Sequence, residues 1–177
     1  MAKSRRTWIS LWFVLSAAVM ALDCSYLLIR PLSLPGGSLD WLYEPVYGIY
    51  SKVDISYGRE AFERGDGFPN AQAFLSVIEA ILGLYYVYLQ NIVGSTSAPI
   101  FAFMVSAMTL SKTVLFFSHE YFCDWCTTGH NDPMTTFSLW FAPGLPWVIF
   151  PSLILMTYGK DIALALKTAE SQRTKAK

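Results

Sequence analysis

Charge is scarce in this chain: of 177 residues only 13 are basic and 13 acidic, and the two signs cancel. Such a balance leaves no basic surface to hold phosphates, which excludes a nucleic-acid binder. Hydrophobic content of 54% and a mean hydropathy of +0.38 are too high for an ordinary soluble domain. Cysteine is scarce too, with Cys24, Cys123 and Cys126 making up the whole supply. A four-span oxidoreductase that relays electrons between two dithiol pairs lacks its second pair, since only Cys24 remains beside Cys123 and Cys126. The chain has no internal repeat, no low-complexity tract and no linker long enough to divide it, so one domain over 1–177 is expected. Lys3, Arg5 and Arg6 precede the first apolar run, but that run is too long for a signal peptide and has no small-residue cleavage pattern. It is expected to be retained.

Long apolar runs are plentiful. Crossing a bilayer takes roughly 20 mostly apolar residues, and four such runs lie at about 8–29, 71–90, 98–118 and 134–158. The expected architecture is an all-α integral membrane protein, a bundle of four transmembrane helices in a lipid bilayer. Basic flanks stay on the cytoplasmic side. Lys3, Arg5 and Arg6 lie at one end and Lys160, Lys167, Arg173, Lys175 and Lys177 at the other, which places both termini and a basic tail, 159–177, in the cytoplasm. The connection after the third span has Glu120, Asp124 and Asp132 and no lysine or arginine, as a lumenal loop should. The loop 31–70 mixes Lys52, Arg59 and Arg64 with six acids and decides nothing about orientation. Its Trp41, Tyr43, Tyr47 and Tyr50 suit a short segment at headgroup level, a lid or surface anchor.

Ionisable residues inside the spans carry the functional signal. Asp23 lies in the first, Glu79 in the second and Lys112 in the third. Charge in hydrocarbon is expensive, so such groups pair, face the bundle interior and mark function. In the second span Ser76, Glu79, Gly83, Tyr86 and Gln90 recur every three or four residues, a polar stripe on one helix face. Ser16, Asp23 and Tyr26 share a face of the first span, and Ser106, Thr109 and Lys112 belong to the third. Thr136, Trp140, Pro143 and Trp147 form an aromatic stripe on a fourth helix that Pro143, Pro146 and Pro151 should kink. Four stripes meeting would enclose an aromatic cavity holding two carboxylates and one ammonium. The structural alternative is a buried ion pair, Lys112 with Asp23 or Glu79, that only fixes helix packing.

His119, Glu120, Cys123, Cys126 and His130 form a second cluster within twelve residues. It is compatible with a zinc ion, with a redox pair, or with a disulfide or plain thiols at the mouth of the bundle. The last is the commoner arrangement, and nothing else points to a metal, nucleotide or flavin cofactor.

Several of these residues carry a family likeness. Glu120 just after the third span, Gly129-His130 before the fourth, and Trp147 followed by Pro151 make the stretch from Phe117 to Pro151 resemble the emopamil-binding protein family, or EXPERA domain. The loop from Tyr50 to Tyr57, Glu79 in the second span and Asp23 in the first are similar to further family stretches. Members include sterol delta-8 to delta-7 isomerase and the sigma-2 receptor. Three positions depart: Val19 stands where the isomerases carry a His, Gly144 where they carry an Asn, and Lys112 has no expected counterpart. The resemblance implies an EXPERA-type bundle with an intramembrane cavity in the endoplasmic reticulum.

The activity it implies is a double-bond shift in a hydrophobic isoprenoid or sterol. One carbon gains a proton and its neighbour loses one, through a carbocation that water would quench. Of two carboxyls in low dielectric, one can hold the proton while the other, ionised, stabilises the cation. Glu79 is the expected donor and Asp23 its electrostatic partner, with Trp147, Trp140, Tyr26 and Tyr86 stabilising the cation, Lys112 holding one acid ionised, and Glu120 and His130 nearer the entrance. The same chemistry would serve a terpenoid cyclase. A cavity shaped for a cation would also suit a non-catalytic sterol- or lipophilic-amine-binding protein, and a homodimer is compatible with either.

Overall fold

The computed structural model describes residues 6–175. Among the described residues every regular element is helical. The helices are α1 (Thr7–Leu28), α2 (Asp40–Val53), α3 (Arg59–Glu63), α4 (Phe68–Val93), α5 (Ala98–Phe122) and α6 (Pro133–Lys175). Four of them, α1, α4, α5 and α6, are long and apolar enough to cross a membrane, and a lipid bilayer is the environment such helices suit. Lys3, Arg5 and Lys177, counted among the basic flanks, lie outside the described residues.

Local sequence sets the ends. Pro69 and Pro99 occupy the first turns of α4 and α5, where the missing N–H costs nothing. The last turn of α4, Leu89–Val93, widens to a π turn and stops at Gly94, whose φ of 69° is a left-handed conformation that glycine adopts freely. Asp132 caps α6 by accepting from Met134 N (3.0 Å) and Thr135 N (3.1 Å). Thr136–Phe141 then winds as a π turn, and the helix breaks around Leu145 before it resumes at Pro146. Proline supplies no donor for the ladder, so the irregularity falls in this stretch. From Pro146 the helix runs unbroken to Lys175, past the expected end at 158. Arg6 Nη1 pairs with Asp161 Oδ2 at 2.8 Å across this extension, an exposed contact worth at most about 1 kcal/mol.

α1 packs along α4, α5 along α6, and α4 against α5. Gly83 permits the first pairing, because a Cβ there would stand 2.8 Å from a Phe13 ring carbon. Around it Ile9, Phe13, Tyr86, Ala102, Ile154 and Tyr158 form a closed core at one end of the bundle. At the other end Met20, Tyr26, Leu27, Tyr43, Tyr47 and Tyr57 form a second. The polar stripe of α4 faces inward, with Ser76, Glu79, Gly83, Tyr86 and Gln90 all buried. Leu11, Leu15, Ile81, Leu115 and Met156 point outward and are each more than half exposed. Polar inside and apolar outside is the arrangement hydrocarbon favours.

α2 crosses the second core end. Its Tyr43 and Tyr47 are buried against the bundle, whereas Trp41, Val46 and Ile49 stay on the outer surface. The tyrosines expected at headgroup level thus face the protein, and Trp41 alone of that aromatic group points fully away.

Candidate functional site

α1, α2, α4, α5 and α6 meet around a pocket of about 350 Å³. This falls within the roughly 300–1,000 Å³ of small-molecule sites. Asp23 comes from α1, Tyr47 and Tyr50 from α2, Gln72 and Ser76 from α4, Lys112, Phe116 and Phe117 from α5, and Trp140 and Trp147 from α6. Val19 and Leu22 of α1, Val46 of α2 and Pro143 of α6 line it as well and are exposed.

Asp23 is the carboxylate of the wall. Its Oδ1 accepts the Tyr47 hydroxyl at 3.0 Å and its Oδ2 the Tyr57 hydroxyl at 3.4 Å. Tyr26 stands behind them, its ring stacked on Tyr47 with centroids 3.9 Å apart and its hydroxyl donating to Tyr57 O at 2.9 Å. It orders the tyrosines and does not line the pocket. Asp54 orders the opposite wall: Oδ1 accepts from Ser56 N (3.0 Å) and Ser56 Oγ (2.6 Å), and Oδ2 accepts Trp140 Nε1 at 3.1 Å. Burial pushes the Asp54 carboxyl above its ordinary range, against the pull of the Ser56 and Trp140 donors. Trp140 is further held edge-on by Phe117, with ring centroids 5.2 Å apart.

Lys112 reaches from α5 to α4. Its ammonium donates to the Ser76 hydroxyl and lies 3.3 Å from Glu79 Oε2, which also accepts the Thr109 hydroxyl at 2.8 Å. Glu79 is 2% exposed and does not line the large pocket. It faces a much smaller space shared with Ser16, Gly83, Ser106 and Thr109. The wall therefore presents Asp23 and the ammonium, with Glu79 behind the latter.

No family profile matches the chain, and no curated protein matches it. Its function rests on the site.

The other expected site residues lie apart from the pocket. Tyr86 shares a hydrogen bond with Tyr158, 2.9 Å between hydroxyls, in the core at the far end. Glu120 spends its carboxylate on the loop after α5, accepting from Thr127 N (3.0 Å), Thr127 Oγ1 (2.5 Å), Thr128 N (2.8 Å) and Thr128 Oγ1 (2.9 Å). His130 is exposed and bonds Lys52 O through Nε2 at 2.7 Å. Glu120 thus braces the loop internally, while His130 and Asn131, through Nδ2 to Val53 O (2.8 Å), tie it to the last turn of α2, and Ile55 N donates to Thr127 O (3.1 Å) just after that helix. Cys123 and Cys126 form a disulfide. Tyr47, Tyr57, Asp54 and Gln72 are site residues that the sequence reading did not assign. For Tyr47 the readable signal was spacing: Tyr43, Tyr47 and Tyr50 at i, i+4 and i+7 mark one helix face, opposite Trp41.

Proposed function

We propose that the protein is a membrane isomerase of emopamil-binding type that moves a double bond in a hydrophobic isoprenoid or sterol. The observation that carries this reading is Asp23, the one carboxyl among the residues that line a largely aromatic and aliphatic pocket, whose other charged group, Lys112, is paired with Glu79. Lys112 and Glu79 pair with each other, which leaves Asp23 as the acid that can touch a ligand. The donor role expected for Glu79 passes to Asp23 on this reading, and Glu79 becomes the partner that holds the ammonium.

The chemistry follows from placement. A protonated Asp23 delivers its proton to one alkene carbon, and the positive charge appears on the neighbouring carbon. The new carboxylate is held by the Tyr47 and Tyr57 hydroxyls, and the Trp140 and Trp147 faces stabilise the cation by roughly 0.5–2 kcal/mol each. Loss of a proton from the adjacent carbon to Asp23 completes the shift and restores the acid. The aromatic and aliphatic side chains of the wall keep water from the cation, and the exposed lining residues Val19, Leu22, Val46 and Pro143 mark where a ligand enters from the lipid. By the same resemblance the protein belongs in the endoplasmic reticulum membrane, and the basic residues that flank the first and last spans put both termini in the cytoplasm.

The test is to incubate membranes carrying the protein with a delta-8 sterol in deuterated water. A delta-7 product with one solvent deuterium, abolished by Asp23→Asn, is the expected result. Turnover that survives Asp23→Asn would overturn the assignment of the acid. Bound but unconverted sterol would favour a sterol- or amine-binding protein, and conversion of a linear polyprenoid alone would favour a terpenoid cyclase.

A further inference from the structure

The C-terminal end of α5 brings together donors that the pocket does not use. His119, Glu120, Cys123 and Cys126 each place a ligand atom within 4.8 Å of the others. His119 in the last turn of α5 and Cys123, the residue that caps it, are four residues apart and lie on one side of the helix end, with Cys123 N donating to His119 O. Cys126 returns to them because Asp124 and Trp125 each take a φ of 57°. Two consecutive left-handed residues, one of them tryptophan, are costly and persist where the surroundings enforce them. Glu120 is committed to Thr127 and Thr128 through four hydrogen bonds, so three donors remain. The His119 ring is fixed by stacking on Phe68, with centroids 4.3 Å apart and planes 15° apart.

We propose that the Cys123–Cys126 disulfide is the oxidised state of a metal site completed by His119. A thiol-class reductant supplies two electrons to the S–S bond and itself ends as a disulfide, while the two sulfurs take up two protons. Those protons leave to water when the thiolates bind a divalent ion. Two thiolates and one imidazole are the donor set of a zinc-class ion, with water in the fourth position. The site is exclusive of the disulfide, so metal occupancy reports the redox state of the loop. It stands independently of the isomerase reading, because no residue of the site lines the pocket.

The test uses the full-length protein in lipid nanodiscs, reduced with a phosphine under anaerobic conditions and titrated with cobalt(II). The expected result is one equivalent per chain with a thiolate-to-cobalt charge-transfer band, displaced by zinc. Oxidised protein and the Cys123→Ser/Cys126→Ser variant should show no band. His119→Gln should bind about tenfold or more weakly, with the same metal-free thermal midpoint as the wild type, which separates ligand loss from misfolding. Absence of the band in reduced wild type, or equal affinity in His119→Gln, would overturn the proposal.

Discussion

Lys112 Nζ lies 3.3 Å from Glu79 Oε2 at a depth where the lysine side chain is 12% exposed and the glutamate 2%. The ammonium also donates to Ser76 and the carboxylate also accepts from Thr109. A buried pair satisfied on both sides is conditionally stable: each charge is tolerable only while the other is present. The pair crosses from α4 to α5 and so fixes their register.

The first prediction concerns that dependence. Lys112→Met leaves the Glu79 carboxylate uncompensated and should destabilise the protein by about 3–5 kcal/mol, whereas Lys112→Met with Glu79→Gln should recover most of the loss. Thermal unfolding in detergent measures both. Additive losses in the double variant would mean that the two residues act separately.

Asp23 is tested through its two phenols. Asp23→Asn keeps shape and removes the transferable proton, and a lost general acid lowers turnover by about 10²–10⁴-fold. Tyr57→Phe removes the 3.4 Å donor but no proton source, so turnover should fall by about tenfold, the low end for a hydrogen bond to a charged group. Steady-state rates on the converted sterol distinguish the two. A larger loss in Tyr57→Phe than in Asp23→Asn would shift the acid to the phenol.

Gly144 sets the pocket width. A Cβ at this position would stand 2.6 Å from Phe117 Cζ, and both residues line the wall. Gly144→Ala must therefore push the Phe117 ring, which narrows the pocket and should weaken binding of a rigid polycyclic ligand by about tenfold, on the scale of 1–3 kcal/mol for an overpacked site. A linear isoprenoid should lose less. Competition binding with the two ligand shapes reads the difference, and equal losses would mean that the ring turns outward.

Much of this was legible in the residues. Hydropathy located the four long helices, and the period of Ser76, Glu79, Gly83, Tyr86 and Gln90 found the inward face of α4, because hydrocarbon leaves polar groups nowhere else to point. What a period does not carry is depth along the helix. Tyr86 shares a face with Glu79 but stands two turns further on, in the core with Phe13 and Tyr158 and away from the large pocket. Glu120 and His130 were placed near an entrance because they flank a span, yet their partners, Thr127, Thr128 and Lys52 O, depend on how the loop folds back. Tyr47 and Asp54 were missed for the converse reason: a tyrosine-rich helix flanking a membrane span reads as a headgroup anchor, and only tertiary packing turns it toward Asp23.

The last prediction follows from Asp54, which anchors Trp140. Its carboxyl is 1% exposed and held above the ordinary value by burial first, and by the Glu120 charge as a smaller cause. A carboxyl whose folded value exceeds its unfolded one, about 3.9, contributes its stability below that unfolded value and loses it as pH rises through the folded one. The protein should therefore lose stability as pH climbs from about 4, while the Ser56 and Trp140 donors limit how far. Asp54→Asn removes the titration. Its amide still accepts from Ser56 but turns an N–H toward Trp140 Nε1, a cost that does not vary with pH. Thermal midpoints of wild type and Asp54→Asn, taken from pH 4 to 8, should then differ by an amount that changes in the variant's favour as pH rises. A difference constant across that range would show that Asp54 carries the same charge folded and unfolded, and that the Trp140 bond acts on position alone.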